Sequence, residues 1–289
     1  MKIGFIGTGI MGIRMANNLL KNNYSLIVYN RTKEKAEPLI REGAEPAEFP
    51  VDVAKKADIL FTMLSDPEAV REAAMGRNGF LEGMKKNSLW IDCSTVNPAF
   101  SIEMAEKAHE RNIRFMDAPV AGTKKPAENG ELIFFVGGAK ADFNEVKPIL
   151  EKMGKKILHL GECSKGTSMK MVVNLMLGNA MVSFSEAMIL GQSLGFDKEI
   201  IFNTLLGGPV TAPYLSAKKE KFAEDKYETD FPLQWMYKDL KLVSETAGSE
   251  NVNLPVTNKT KEIFLAADQK GFGRLDFSAL YKFLRENDH

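Results

Sequence analysis

The sequence predicts an α/β chain in two parts: a doubly wound, mostly parallel sheet flanked by helices, then an all-helical domain, joined by one long helix. Three observations carry the prediction. At 289 residues the chain exceeds the usual reach of a single hydrophobic core, so two domains are expected. Apolar β-type runs alternate with amphipathic helical patterns through residue 161, the signature of βαβ units around a parallel sheet. Beyond Gly161 the β-type runs stop and the remaining patterned segments have helical period.

Taken in order, strands are expected at 3–6, 26–29, 59–64, 89–91, 115–116, 132–136 and 157–160. Helical patterns such as 11–21, 99–110 and 141–152 lie between them, and the last strands are additions at the far end of the sheet. Ser164 is a candidate helix cap. One unbroken helical pattern then runs from 167 to 194, about 40 Å long at ~1.5 Å per residue. Helices follow at 198–206, 214–223, 233–247, 256–270 and 277–285, punctuated by Pro209, Pro213, Pro232 and Pro255. The domains are therefore read as 1–163 and 164–289, the second opening on the long helix.

Composition removes several classes of function. The 38 basic and 38 acidic residues cancel, which leaves no electrostatic footprint for nucleic acid or an anionic membrane. Cys93 and Cys163 make no disulfide framework and suit a reducing compartment. His109, His159 and His289 are far apart and lack metal-ligand spacing. The sequence opens on a strand at Lys2, leaving no room for a signal or transit peptide, so a cytoplasmic location is expected. The apolar stretch 169–194 is interrupted by Lys170, Asn174, Asn179, Ser183, Ser185 and Glu186, the make-up of a buried helix rather than a membrane span.

The chemistry begins at Gly7-Thr8-Gly9-Ile10-Met11-Gly12, directly after the first strand. Gly7 permits the tight turn, Gly9 lets the backbone approach phosphate, and Gly12 allows close helix–strand contact. A helix N-terminus there favours a pyrophosphate. The sheet is therefore read as a Rossmann dinucleotide-binding domain. Cofactor choice is set at the end of the second strand, where NAD enzymes usually place an acid. Asn30 stands there instead, followed by Arg31 and Thr32. Nothing then repels a 2′-phosphate, Arg31 can clamp it with a forked guanidinium, and Thr32 adds a hydroxyl, so NADP is the expected cofactor. Met63-Leu64-Ser65 and Cys93-Ser94-Thr95 each end a strand, and strand carboxyl ends line the cofactor crevice in this fold. Met63, Leu64, Ser65 and Thr95 are assigned to it, with ordinary strand-to-loop turns as the alternative.

A second group of residues can handle a substrate. In Asp117-Ala118-Pro119-Val120-Ala121-Gly122-Thr123, the Gly122–Thr123 stretch offers backbone N–H groups and a hydroxyl to a carboxylate. The adjacent Lys124-Lys125 pair reads as solvated. Lys170 lies in Gly166-Thr167-Ser168-Met169-Lys170-Met171-Val172-Val173-Asn174, near the start of the long helix. A lysine buried there would have a lowered pKa and would give up its proton readily to a substrate oxygen. Asn174 shares its helix face and can orient the amine or bond that oxygen. The competing reading is a lysine that snorkels to water. Lys238, beside Asp239, can reach cofactor or substrate, and a local ion pair is the plainer alternative.

Together these segments resemble the β-hydroxyacid dehydrogenase family over nearly the whole chain. The resemblance rests on Gly-Phe-Ile-Gly-Thr-Gly-Ile-Met-Gly at 4–12, Asp-Ala-Pro-Val-x-Gly at 117–122, Gly-x-x-x-Lys-x-x-x-Asn at 166–174, and Lys238-Asp239. It implies that Lys170 is the catalytic acid and that Lys238 contacts the cofactor near the substrate. Asn30-Arg31-Thr32, the segment 122–128 and Phe231-Pro232-Leu233 resemble the glyoxylate/succinic semialdehyde reductase branch. That implies NADPH-dependent reduction of small carboxylate-bearing aldehydes, with Phe231 at the cofactor. Ala121, Gly122, Thr123, Lys170, Asn174 and Lys238 would then surround the substrate. The family usually has serine where this chain has Ala121, so one hydroxyl that would hold the carboxylate is missing. The long apolar helix and the helical domain suggest a homodimer or homotetramer. The nearest alternative is an NAD-type 3-hydroxyisobutyrate or serine dehydrogenase. Imine reductases share the architecture but typically lack the lysine, and a non-catalytic nucleotide-sensing protein is the alternative of another class.

Overall fold

The computed structural model describes residues 1–287; His289, the third histidine, lies outside the described residues. Contacts divide the chain into two compact units, Met1–Lys170 and Met171–His289. The first holds a mixed sheet of nine strands among the described residues. These are β1 (Lys2–Ile6), β2 (Ser25–Tyr29), β3 (Glu45–Pro46), β4 (Ile59–Thr62), β5 (Leu89–Asp92), β6 (Arg114–Asp117), β7 (Val120–Ala121), β8 (Leu132–Gly137) and β9 (Gly154–Gly161). The helices of this unit are α1 (Gly12–Lys21), α2 (Glu37–Arg41), α3 (Pro50–Lys56), α4 (Pro67–Met75), α5 (Pro98–His109), α6 (Lys124–Glu128) and α7 (Lys140–Leu150).

The strands are ordered β3-β2-β1-β4-β5-β6-β8-β7, with β9 paired to β8. The run from β3 to β6 is parallel throughout, the order of a doubly wound dinucleotide fold. β8 runs antiparallel to β6 and β7 and parallel to β9, so the additions at the far end make the sheet mixed. The central strands β1, β4 and β5 are apolar on both faces because helices cover both. Ile3, Phe5, Ile59, Phe61, Leu89 and Ile91 enter one core, while Ile6, Leu60, Trp90 and Phe115 enter the other. The sequence pattern did not reveal β3 and β7; two residues carry no alternation to read, and neighbouring strand edges recruit them.

Helix α8 (Lys165–Ser193) is 29 residues long and joins the two units. By length and composition it is apolar enough to cross a membrane. It is buried on one side only. Met181, Phe184 and Met188 join the core of the second unit, whereas Val172, Met176 and Leu190 are exposed. The second unit continues with α9 (Lys198–Leu205), α10 (Lys219–Glu224), α11 (Leu233–Ser249), α12 (Pro255–Ala267) and α13 (Leu280–Glu286). Three expected helices begin or end differently. Residues 213–218 form a 3-10 turn ahead of α10, and another, 277–279, precedes α13. After α12 a single π turn follows, where Gly271 takes a φ of 90° that an ordinary helix cannot hold.

Candidate active site

The glycine loop sits between β1 and α1, at the carboxyl edge of the sheet where the order reverses between β1 and β4. Gly7 has a φ of 97°, and a Cβ there would lie 2.3 Å from the Met63 carbonyl at the end of β4. At Gly12 a Cβ would meet the Gly7 carbonyl at 1.9 Å, so two of the three glycines are demanded by the protein's own packing. Gly9 differs: a Cβ there meets nothing within 4 Å. The Thr8 hydroxyl is buried without a hydrogen-bond partner. Open space over Gly9 and an orphan hydroxyl beside it fit a dinucleotide's phosphates, an assignment the fold alone would not supply. The recess is lined by Thr8, Gly9, Ile10, Ile13, Lys35 and Pro38; Met11 closes the turn as the residue preceding α1.

Asn30 ties this loop to the end of β2. Its Oδ1 accepts from the Thr8 N–H at 2.9 Å, and its Nδ2 donates to the Thr32 carbonyl at 2.8 Å. An amide does both jobs; a carboxylate could only accept. Arg31 and Thr32, placed on the same turn, are exposed. Lys35, which lines the recess, was not singled out from sequence; its i+4 spacing from Arg31 was the available signal.

At the next strand ends, Met63 and Leu64 are half-buried and Ser65 is exposed. The Leu64 N–H donates to the Ser94 hydroxyl at 2.9 Å, and Asp92 accepts from the Thr62 hydroxyl and the Ser94 N–H. Burial pushes the Asp92 carboxyl above its usual range. These bonds fix the backbone on which Met63, Leu64 and Thr95 stand. One strand over, Asp117 is fully buried at the end of β6, with its carboxyl likewise raised by desolvation. Ala121, Gly122 and Thr123 follow, with Ala121 paired to Ile133 of β8 and Gly122 at a φ of 117°. Lys124 and Lys125 are exposed, as expected of solvated lysines.

The start of α8 departs from expectation. Ser164 is not a conventional cap, since its φ is 75°. The free N–H groups go instead to Asp117, which accepts from Ser164 N and Thr167 N, both at 2.7 Å, and from the Thr167 hydroxyl at 2.9 Å. Lys170, one turn on, is half-buried rather than buried, because it lies at the margin of the exposed stripe begun by Met169 and Val172. Asn174 is fully buried. Its Nδ2 donates to Asp239 Oδ2 at 2.6 Å, and its Oδ1 has no hydrogen-bond partner. Asp239, only 2% exposed, also forms an ion pair with Lys238 at 2.9 Å. The Lys238–Asp239 pair is thus a real ion pair, anchored on a buried carboxylate whose importance the sequence concealed. Phe231 stands just before α11, edge-on to Phe277 with ring centroids 5.5 Å apart.

Residues 2–161 match the model for the NAD binding domain of 6-phosphogluconate dehydrogenase. Residues 164–284 match that for the NAD-binding domain of NADP-dependent 3-hydroxyisobutyrate dehydrogenase. The chain belongs to the β-hydroxyacid dehydrogenase family. Among its relatives, glyoxylate/succinic semialdehyde reductase 2, chloroplastic, of Arabidopsis thaliana is 38% identical over 99% of this chain and 80% of that protein. Glyoxylate/succinic semialdehyde reductase 1 of the same plant is 37% identical over 99% of this chain and its own full length. The structure of Mycobacterium tuberculosis 3-hydroxyisobutyrate dehydrogenase with L-serine matches with a TM-score of 0.88 at 26% identity, over 98% of this chain and 99% of that one.

As a β-hydroxyacid dehydrogenase the protein is an oxidoreductase of CH–OH groups that works with a nicotinamide dinucleotide. Its glycine loop permits a paired test. Gly9→Ala meets no protein atom, so the melting temperature should stay within about 1 °C while dinucleotide affinity falls roughly 10-fold. Gly12→Ala forces its methyl against the Gly7 carbonyl and should cost about 1–3 kcal/mol of stability. Thermal melts and cofactor titration of both variants check this; equal melting losses would show that Gly9 is also a packing glycine.

Proposed function

We propose that this β-hydroxyacid dehydrogenase uses NADPH to reduce small carboxylate-bearing aldehydes, glyoxylate and succinic semialdehyde among them, to hydroxy acids. The observation that carries the reading is Asn30. It fills the position of the acid an NAD site would use, and its amide accepts from the Thr8 N–H of the glycine loop and donates to the Thr32 carbonyl of the turn that carries Arg31. Arg31 would grip the 2′-phosphate, and Lys35, which lines the recess over the glycine loop, would add positive charge. The substrate class is supported by the names of the two plant relatives.

In this reading the glycine loop and the Thr8 hydroxyl hold the pyrophosphate. Met63, Leu64, Ser65, Thr95 and Phe231 border the rest of the cofactor, and Lys238 contacts it. When bound, the reduced nicotinamide supplies the hydride. Lys170 Nζ donates a proton to the oxygen that becomes the new hydroxyl. The N–H groups of Gly122 and Thr123 and the Thr123 hydroxyl hold the carboxylate. Asn174 Oδ1, buried without a partner, accepts a hydrogen bond from the Lys170 ammonium or the product hydroxyl. A panel of glyoxylate, succinic semialdehyde, 3-hydroxyisobutyrate and serine with both cofactors tests the assignment. Faster turnover of serine or 3-hydroxyisobutyrate with NAD would reject it in favour of the sibling enzymes.

Ala121 leaves the carboxylate pocket one hydroxyl short. Ala121→Ser should lower KM for a carboxylate aldehyde about 3- to 10-fold, equivalent to ~0.5–1.5 kcal/mol for one added hydrogen bond. Steady-state kinetics decide it, and an unchanged or raised KM would mean that the carboxylate is held elsewhere.

A further inference from the structure

We propose that Asp117 is a positioning residue for Lys170: its carboxylate sets the first turn of α8 and thereby the place from which the lysine delivers its proton. The proposal rests on the reading of Lys170 as the acid. Asp117 is fully buried, and its two oxygens are shared out along the turn. Oδ1 accepts from Ser164 N at 2.7 Å, and Oδ2 accepts from Thr167 N at 2.7 Å and Thr167 Oγ1 at 2.9 Å. Thr167 is itself fully buried, and its hydroxyl lies 3.2 Å from that of Ser101. Lys170 follows three residues later, on the next turn of the same helix.

The surroundings are shaped around this carboxylate. A Cβ on Gly166 would lie 2.2 Å from the Phe135 carbonyl and 2.8 Å from Asp117 Oδ2. A Cβ on Gly137 would lie 2.4 Å from Asp117 Oδ1. Both glycines therefore let the helix start and β8 close on Asp117. The glycine four residues before Lys170 answers first to the Phe135 carbonyl of β8 and then to Asp117, not to the helix, which it would otherwise weaken. Asp117 also begins the segment that leads into Ala121–Thr123. One side chain therefore fixes the helix carrying the proton donor to the root of the loop assigned to the carboxylate. A displacement of about 1 Å at a reacting group can lower turnover by roughly 10²-fold, so this bond set bears on rate.

The test uses the full chain and reports turnover per cofactor-binding site, counted by dinucleotide titration, so that unfolded protein does not enter the number. Asp117→Asn keeps the shape but turns one acceptor into a donor facing an N–H. It should lower kcat per site roughly 10- to 100-fold, with cofactor affinity within about twofold and aldehyde KM within about threefold. A kcat per site within twofold of wild type overturns the proposal, whatever the loss of stability. So does a rise confined to KM, which would assign Asp117 to the carboxylate loop alone. If Asp117→Asn does not fold, Thr167→Val, which removes the hydroxyl's contacts with Asp117, Ser101 and the Ser164 carbonyl but keeps the Thr167 N–H bond to Asp117, should lower kcat per site about threefold, and Thr167→Ser should restore it; equal values for the two overturn the proposal. The decisive arm adds Asp117→Asn to Lys170→Ala. A residue acting through Lys170 costs less than twofold in that background, whereas a second full loss means that Asp117 acts independently. Lys170→Ala by itself reports on the acid assignment, so the two readings fail separately.

Discussion

Lys170→Ala should lower kcat by roughly 10²–10⁴, the usual worth of a positioned general acid, while cofactor affinity changes little. The expectation does not depend on deep burial, because Lys170 is only half-buried. It depends on placement. The first turn of α8 is fixed by Asp117, and one turn beyond Lys170 the helix is fixed again by the Asn174–Asp239 bond of 2.6 Å. A side chain held between two such anchors can return to the same point in each turnover. Lys170→Arg separates charge from acidity. Arginine keeps the positive charge but does not release a proton near neutral pH, so it should be nearly as slow as alanine. If either variant retained more than a tenth of wild-type turnover in steady-state assays, Lys170 would not be the acid.

Arg31→Ala should weaken NADPH in kcat/KM by about 10- to 150-fold, the equivalent of ~1.5–3 kcal/mol for a charge-assisted contact, and leave NADH almost unchanged. The 2′-phosphate is the only chemical difference between the cofactors, so only groups that touch it can discriminate. Lys35 remains in the variant and favours the lower end of the range. Asn30→Asp should push preference further toward NADH. The carboxylate would still accept from Thr8 N–H, but it would lose the bond to the Thr32 carbonyl and repel the phosphate. Measuring kcat/KM for both cofactors with one aldehyde at saturation decides the matter. Equal losses for NADPH and NADH in Arg31→Ala would end the NADP assignment.

The parts of the molecule legible in the sequence are those fixed by local rules. Alternation of β-type runs with helical period located the seven longer strands, because a strand buried on both faces needs an unbroken apolar run. The glycine loop was legible because Gly7 and Gly12 answer to backbone contacts a few residues away or at the adjacent strand end. What depends on distant partners was not. Asp239 looked like half of a surface ion pair until Asn174, 65 residues earlier, was seen to donate to it. Ser164 had the composition of a cap, but the capping carboxylate comes from Asp117, 47 residues before it. Lys170 is less buried than the apolar run around it suggests, because α8 is covered on one side and leaves Val172, Met176 and Leu190 exposed.

The Asp117 bonds also bear on how the protein is made. When translation reaches Gly161 the last strand of the sheet has been synthesised, yet the sheet is not ready to close. Asp117 must enter its core, and the groups that satisfy it, Ser164 N–H and Thr167 N–H and hydroxyl, have not been added. A buried carboxylate without those donors costs several kcal/mol, so it stays hydrated or protonated until they arrive. The nascent unit therefore completes itself only when the opening turns of α8 fold back onto it. The contacts divide after Lys170, inside a continuous helix, so these opening turns group with the first unit. The opening turns of the long helix are, in order of assembly, the last piece of the first domain.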